Sequence, residues 1–162
     1  MSSWKTGVGV VGLGLTFILS GCGLFGNAVV DDLETYMNEQ IVPHEEEVSA
    51  AWEDFYLETE DLSNEEFYEF YHSDFKPYLD EQYEFLHGIQ PETTEVQELH
   101  ELYLLENEVY WEAGEKEVEG FYQEDEDLLV EADEMFLDYQ NMTDFHNELE
   151  RLMEEHNIEY LE

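Results

Sequence analysis

Residues 95–140 read EVQELHELYLLENEVYWEAGEKEVEGFYQEDEDLLVEADEMFLDYQ, and the placement of their apolar side chains decides the fold. Val96, Leu99, Tyr103, Tyr110, Ala113, Phe121, Leu128, Ala132, Met135 and Tyr139 stay on one face of a 3.6-residue period, and Met142 continues the stripe. The stretch contains no proline. The spacing predicts one long helix, which if unbroken from Glu95 to Gln140 has 46 residues and measures ~69 Å at 1.5 Å per residue. Gly114 and Gly120 each cost ~1 kcal/mol against alanine and mark where such a rod can bend.

The flanking sequence is helical too. Upstream, Leu33, Met37, Ile41, Val48, Trp52, Phe55 and Leu62 form a second stripe, interrupted by Pro43. A proline lacks the backbone donor and clashes one turn back, which predicts a kink or break near Ile41 to His44. Ser63-Asn64-Glu65-Glu66 is a capping box opening a helix whose face carries Phe67, Phe70, Tyr71, Phe75, Tyr78, Tyr83, Phe85 and Leu86. Pro77 predicts a second kink and Gly88 a stop. Thr93 or Thr94 is placed to cap the long segment. Downstream, Thr143 is placed to cap a final helix, Asp144 to His156, burying Phe145, Leu149, Leu152 and Met153.

From Ala28 onward there are only three glycines, three prolines and no Asn-Gly or Asp-Gly turn, so a many-stranded fold is excluded. Short connections favour antiparallel neighbours. The expected class is all-α: an elongated antiparallel bundle of three to four helices, one of them long. A dimeric coiled coil fits less well, because a narrow seam prefers branched aliphatics to this many aromatic rings. No internal repeat or second domain boundary divides the chain.

The 162 residues carry 44 acidic and 4 basic side chains, a formal net charge of −40. That field repels nucleic acid and anionic lipid headgroups, and excludes a basic groove or phosphate clamp. With 43% apolar and 15% aromatic residues the chain nevertheless has the means to fold.

Residues 1–21 differ in kind from the rest. They hold one charge, Lys5, then a run from Gly7 to Leu19 that is apolar or glycine apart from Thr16. This is the layout of a secretory signal peptide, too short for a stable membrane span. Its exit, Leu19-Ser20-Gly21-Cys22, resembles the lipobox of bacterial lipoproteins and contains the only cysteine. The resemblance implies cleavage after Gly21, a diacylglyceryl anchor on the Cys22 thiol with palmitate-type acyl chains, and residence on the outer face of the cell membrane. Two acyl chains suffice for stable anchoring. The chain then divides into a leader (1–21), a lipidated tether (22–27) and an acidic helical domain (28–162). The mature part keeps all 44 acids against Lys76, Lys116 and Arg151, a net of −41. In general form it is similar to small helical lipoproteins of Gram-positive bacteria, some described as binding the cell wall, though only the lipobox carries the likeness.

Chemical motifs are sparse. Glu69/His72 and Glu84/His87 have the Glu-x-x-His spacing of di-iron bundles. Six histidines among 33 glutamates in 162 residues give about 1.2 such pairs by chance, and both lie on one expected helix rather than facing helices. The runs Glu58 to Glu66 and Glu124 to Asp127 offer hard oxygen ligands for Ca²⁺ or Mg²⁺ without the order of an EF-hand. They read as solvated faces with loosely held cations. Tyr68 and Tyr83 are the rings to consider for stacking on a glycan, against a stronger reading as core. The mature serines, Ser49, Ser63 and Ser73, have no glycine elbow around them.

The expected function is therefore a non-catalytic, membrane-anchored interaction or envelope-associated module with no cofactor and no assigned metal site. The alternative is a divalent-cation or metal-binding lipoprotein. Glutamate-rich, lysine-poor composition resembles exported proteins of halophilic bacteria. Self-repulsion is screened as the Debye length falls from ~10 Å at 0.1 M salt to ~3 Å at 1 M. Circular dichroism across that range should show helix content and melting temperature rising with NaCl; a salt-indifferent melt contradicts the adaptation.

Overall fold

The computed structural model describes residues 18–21 and 27–161. It is an all-α bundle. Helix α1 spans 28–59, α2 spans 64–88, and α3 is Thr94–Gln123. Helices α4 (Glu126–Asn141) and α5 (Asp144–His156) follow each other as the fourth leg.

Contacts give the directions. Tyr36 meets His100 and Glu45 meets Tyr103, so α1 and α3 run parallel. His44 meets Gln82 while Trp52 meets Phe75, so α2 descends beside α1. Tyr110 meets Tyr139 while Lys116 meets Glu131, so α4 descends along α3. The result is an up-down-up-down arrangement with short connections.

Neither early proline breaks its helix. The turn Tyr36–Ile41 is π-helical, and the Val42 N–H donates to the Met37 carbonyl, five residues back. The same happens at Tyr71–Phe75, where the Lys76 N–H reaches the Tyr71 carbonyl ahead of Pro77. Widening one turn moves the preceding carbonyls off the pyrrolidine ring, so near Ile41 to His44, where a kink or break was expected, the helix is locally distorted but unbroken.

The long third segment, by contrast, does break. Glu124 adopts a left-handed conformation (φ 54°, ψ 38°), and the Asp125 side chain then caps α4 by accepting from the Asp127 and Leu128 N–H groups. A single rod would leave the stripe from Leu128 to Met142 extending past the ends of α1 and α2. Folding back buries Ala132 and brings Phe136 and Tyr139 onto Tyr110. Gly120 is not the bend: it is the seat of the return, with Leu129 Cδ2 only 2.9 Å from where a Cβ would stand.

Two apolar clusters fill the interior. One gathers Leu33, Met37, Ile41, Leu86, Val96, Leu99, Phe145, Leu149 and Leu152 near the chain termini. The other is aromatic: Phe55 stacks on Phe75 at 4.2 Å, and Trp52 meets Phe75 edge-on at 4.5 Å. Such pairs contribute ~0.5–1.5 kcal/mol each beyond burial.

Two short strands, which the turn-poor sequence did not suggest, close the terminal end. β1 (Ile18–Gly21) pairs antiparallel with β2 (Ile158–Leu161), in register Ile18 to Leu161. Asn157 turns the chain into β2 with a left-handed φ of 54°, a conformation asparagine tolerates. Ile158 then joins the first cluster.

The glycine seat yields a comparison. Gly120→Ala should lower stability by about 1–2 kcal/mol, overpacking outweighing the gain in helix propensity. Gly88→Ala, with open space around the new methyl, should be neutral or slightly stabilising. Urea denaturation of both variants checks this, and equal midpoints would refute the close approach.

Candidate functional site

The most unusual chemistry lies between the two apolar clusters. There α1 contributes Glu45, α3 contributes Tyr103, Glu106 and Tyr110, and α4 contributes Tyr139. Tyr103 Oη donates to Glu45 Oε1 in a short hydrogen bond. Burial raises the Glu45 carboxyl, opposed by that bond, and it raises the Tyr103 phenol strongly, with Glu45 adding to the effect. Glu106, only 6% exposed, accepts from the Phe145 N–H at 3.2 Å. Its carboxyl is likewise raised, first by burial. Tyr139 feels Glu45, Tyr110 and Glu106 together, which places these groups in one electrostatic neighbourhood.

Nearby, Tyr36 Oη and His100 Nδ1 lie 3.1 Å apart, and His100 Nε2 is 3.1 Å from the Leu86 carbonyl oxygen. Burial lowers the pKa of His100, so the neutral ring is favoured. On that tautomer Nε2–H donates to Leu86 and the Tyr36 hydroxyl donates to Nδ1. His44, lowered by the same cause, meets Gln82 at 3.1 Å.

Among the described residues no lysine or arginine enters this region, and the one opposing cationic influence is His146 on Glu106, smaller than the effect of burial. Lys76 bridges Asp80 (2.7 Å) and Glu115 (2.9 Å), tying α2 to α3. Lys116 bridges Glu112 (3.8 Å) and Glu131 (3.3 Å), tying α3 to α4. Arg151 holds Glu148 and Glu155, both at 2.6 Å, along α5. Glu45 and Glu106 are therefore met by hydrogen-bond donors, while burial shifts both toward the neutral form.

The residues singled out in the sequence do not converge. Glu69, His72, Glu84 and His87 are all exposed, and among the described residues no His/Cys/Asp/Glu grouping is suited to a metal. His72 instead lies against Tyr68, and His87 against Tyr83. The acidic runs do local work: Glu66 completes the capping box with Ser63, and Asp125 caps α4. Ser73 donates to the adjacent Asp74 carboxylate on the exposed surface. Thr93 and Thr143 stand at the helix starts as expected, but neither makes a side-chain cap. Asp32 of α1 accepts from the Thr93 N–H instead (2.7 Å), and Glu106 of α3 serves α5. Tyr83, expected in the core, is 38% exposed and Phe85 is 47% exposed.

Cys22 lies outside the described residues. Leu19, Ser20 and Gly21 sit in β1 opposite Tyr160, Glu159 and Ile158. The buried carboxyl layer was not anticipated, since glutamates are so frequent that Glu45 and Glu106 look like any others. The one signal was position: both fall on the apolar faces of their helices. No family model, no curated protein and no solved structure matches this chain.

Glu117 on α3 makes the electrostatics testable. Burial, and secondarily Asp133 on α4, push its carboxyl from 4.5 up to about 7. Between those values the folded chain keeps a proton that the unfolded chain releases. Stability therefore falls as pH rises through that window and levels off above it. Glu117→Gln should be more stable than the parent by about 2–3 kcal/mol at pH 8, with the difference vanishing near pH 4. Denaturant melts at both pH values check the sign; a pH-independent difference would contradict it.

Proposed function

We propose that this chain is a lipid-anchored extracytoplasmic protein whose helical bundle acts as a non-catalytic interaction or envelope-associated module in a saline exterior. The observation that carries the reading is the lipobox Leu19-Ser20-Gly21-Cys22, with the chain's only cysteine, set directly before the bundle. Asn27 caps α1 through Val29 N–H and bonds His156 at the end of α5, so the fold begins five residues after Cys22. An anchor there ties the terminal end of the bundle to the membrane and leaves the aromatic end pointing outward. Cleavage after Gly21 removes β1 with the leader and opens the edge of β2.

The acidic skin accords with this placement. It is repelled by anionic headgroups, so the bundle stands off from the surface while the two acyl chains hold it. In the alternative reading, the carboxylates concentrate Ca²⁺ or Mg²⁺ at the membrane; calorimetric titration at 0.15 M salt separates the two, saturable stoichiometric binding favouring the alternative.

The anchor has its own test. In a bacterial host fed labelled palmitate, the parent chain should be labelled and sediment with membranes. Cys22→Ser should lose the label and accumulate uncut, with its helix signal intact. An unlabelled parent, or a labelled Cys22→Ser variant, would overturn the reading.

A further inference from the structure

Helix α2 carries two pentapeptides, Tyr68-Glu69-Phe70-Tyr71-His72 and Tyr83-Glu84-Phe85-Leu86-His87, identical at four of five positions and fifteen residues apart. They are far too short to be an architectural repeat. On an unbroken α-helix a fifteen-residue step overshoots four turns, which take ~14.4 residues. The π turn Tyr71–Phe75 begins within the first pentapeptide and takes up about one residue, changing the offset from about 60° on one side to about 40° on the other, so the two pentapeptides lie on neighbouring faces of the helix.

Each then does the same thing in space. Tyr68 has the His72 ring at 4.2 Å and stacks on Tyr122 of α3 at 3.9 Å, 17° from parallel. Tyr83 has the His87 ring at 4.2 Å and Trp111 of α3 at 4.9 Å. Trp111 and Tyr122 are eleven residues apart, close to three helical turns, so they share a face. Two similar three-ring ledges thus lie along the α2–α3 seam, about 16–22 Å apart by helical rise. Tyr83 and Tyr122 remain 38% and 44% exposed, and both histidines are exposed.

Aromatic faces in a negative field attract cations, and the planar guanidinium stacks on such rings while bonding carboxylates in pairs. Glu69 and Glu84 stand exposed within the pentapeptides, and Glu119 lies beside the Tyr68 hydroxyl. Lys76, the basic residue of this helix, is held by Asp80 and Glu115 and supplies no competing cation. We infer that the α2–α3 seam is a two-point docking surface for an extended, arginine-bearing peptide segment of a partner protein, one guanidinium on each ledge. An extended strand rises ~3.3 Å per residue, so arginines five to seven positions apart match the gap. This names a partner class for the interaction module proposed above and is independent of the lipid anchor.

The test uses the full-length chain in mild detergent and three synthetic peptides, titrated calorimetrically at 0.15 M NaCl. One has two arginines six residues apart, one has a single arginine, and one has two lysines at the same spacing. The two-arginine peptide should bind at least tenfold more tightly than either other. Tyr68→Leu/Tyr83→Leu, which keeps bulk but removes the phenol rings, should abolish that advantage. A control that removes two remote acids, Glu108→Gln/Glu154→Gln, should leave the advantage in place. Equal affinity for all three peptides, or loss in the control equal to loss in the tyrosine variant, would show attraction to net charge alone and overturn the proposal. So would tight binding of a soluble chito-oligosaccharide with none of the two-arginine peptide. Failure here leaves palmitate labelling untouched, so the two readings fall separately.

Discussion

The constraint on which everything else rests is the shortage of positive charge. From residue 22 onward three lysine and arginine side chains face 44 acidic ones, and each bridges two carboxylates. Ion pairing therefore cannot hold the interior together. Cohesion has to come from burying apolar and aromatic surface against a repulsion felt at every point of the exterior. The two clusters answer that demand in different ways. The terminal one is largely aliphatic and drawn from three of the four bundle legs together with one residue of α2, Leu86, whereas the other is built mostly of rings that gain stacking and edge contacts beyond burial.

A fold so poor in cations finds substitutes in its own backbone. The N-terminus of a helix carries partial positive charge and unpaired N–H groups, and carboxylates are the residues this chain has in excess. Asp125 caps its own helix and Glu66 closes the box with Ser63. Asp32 and Glu106 reach across to the starts of α3 and α5, so they fasten one leg of the bundle to the next. Where a carboxyl is buried without enough such donors, as at Glu45 and Glu117, its pKa rises toward the neutral form. The same acidity therefore repels on the surface, caps at helix starts and titrates in the core.

Much of this architecture was legible in the pattern of residues. The period of the apolar stripes marked out the helices, Ser63 to Glu66 marked a start, and the last helix ran from Asp144 to His156 as its spacing required. What failed were inferences from single residues whose effect depends on neighbours. Pro43 and Pro77 are breakers in isolation, but a π turn ahead of each lets the helix continue. Glu124 has no turn-forming side chain, yet it reverses the chain, because the length of α1 and α2 limits how far the third leg can be buried. At the candidate surface the legible part was the Glu-x-x-His spacing, which was read as no more frequent than chance. The fuller repeat adds a tyrosine ahead of each glutamate, and the sequence does not announce the π turn that shifts the relative facing of the two copies.

In the interior, Glu45 and Glu106 meet hydrogen-bond donors rather than lysine or arginine, and burial shifts both of them, and Glu117, toward the neutral form. ¹³C NMR of the side-chain carboxyls in a glutamate-labelled chain, followed from pH 3 to pH 9, reads this directly. The prediction is a small set of resonances, assignable to Glu45, Glu106 and Glu117 by Gln substitution, that titrate later than the surface glutamates. If all glutamates instead titrate together in the ordinary range, these carboxyls are ionised and open to solvent or cations, which contradicts an interior that favours their neutral form.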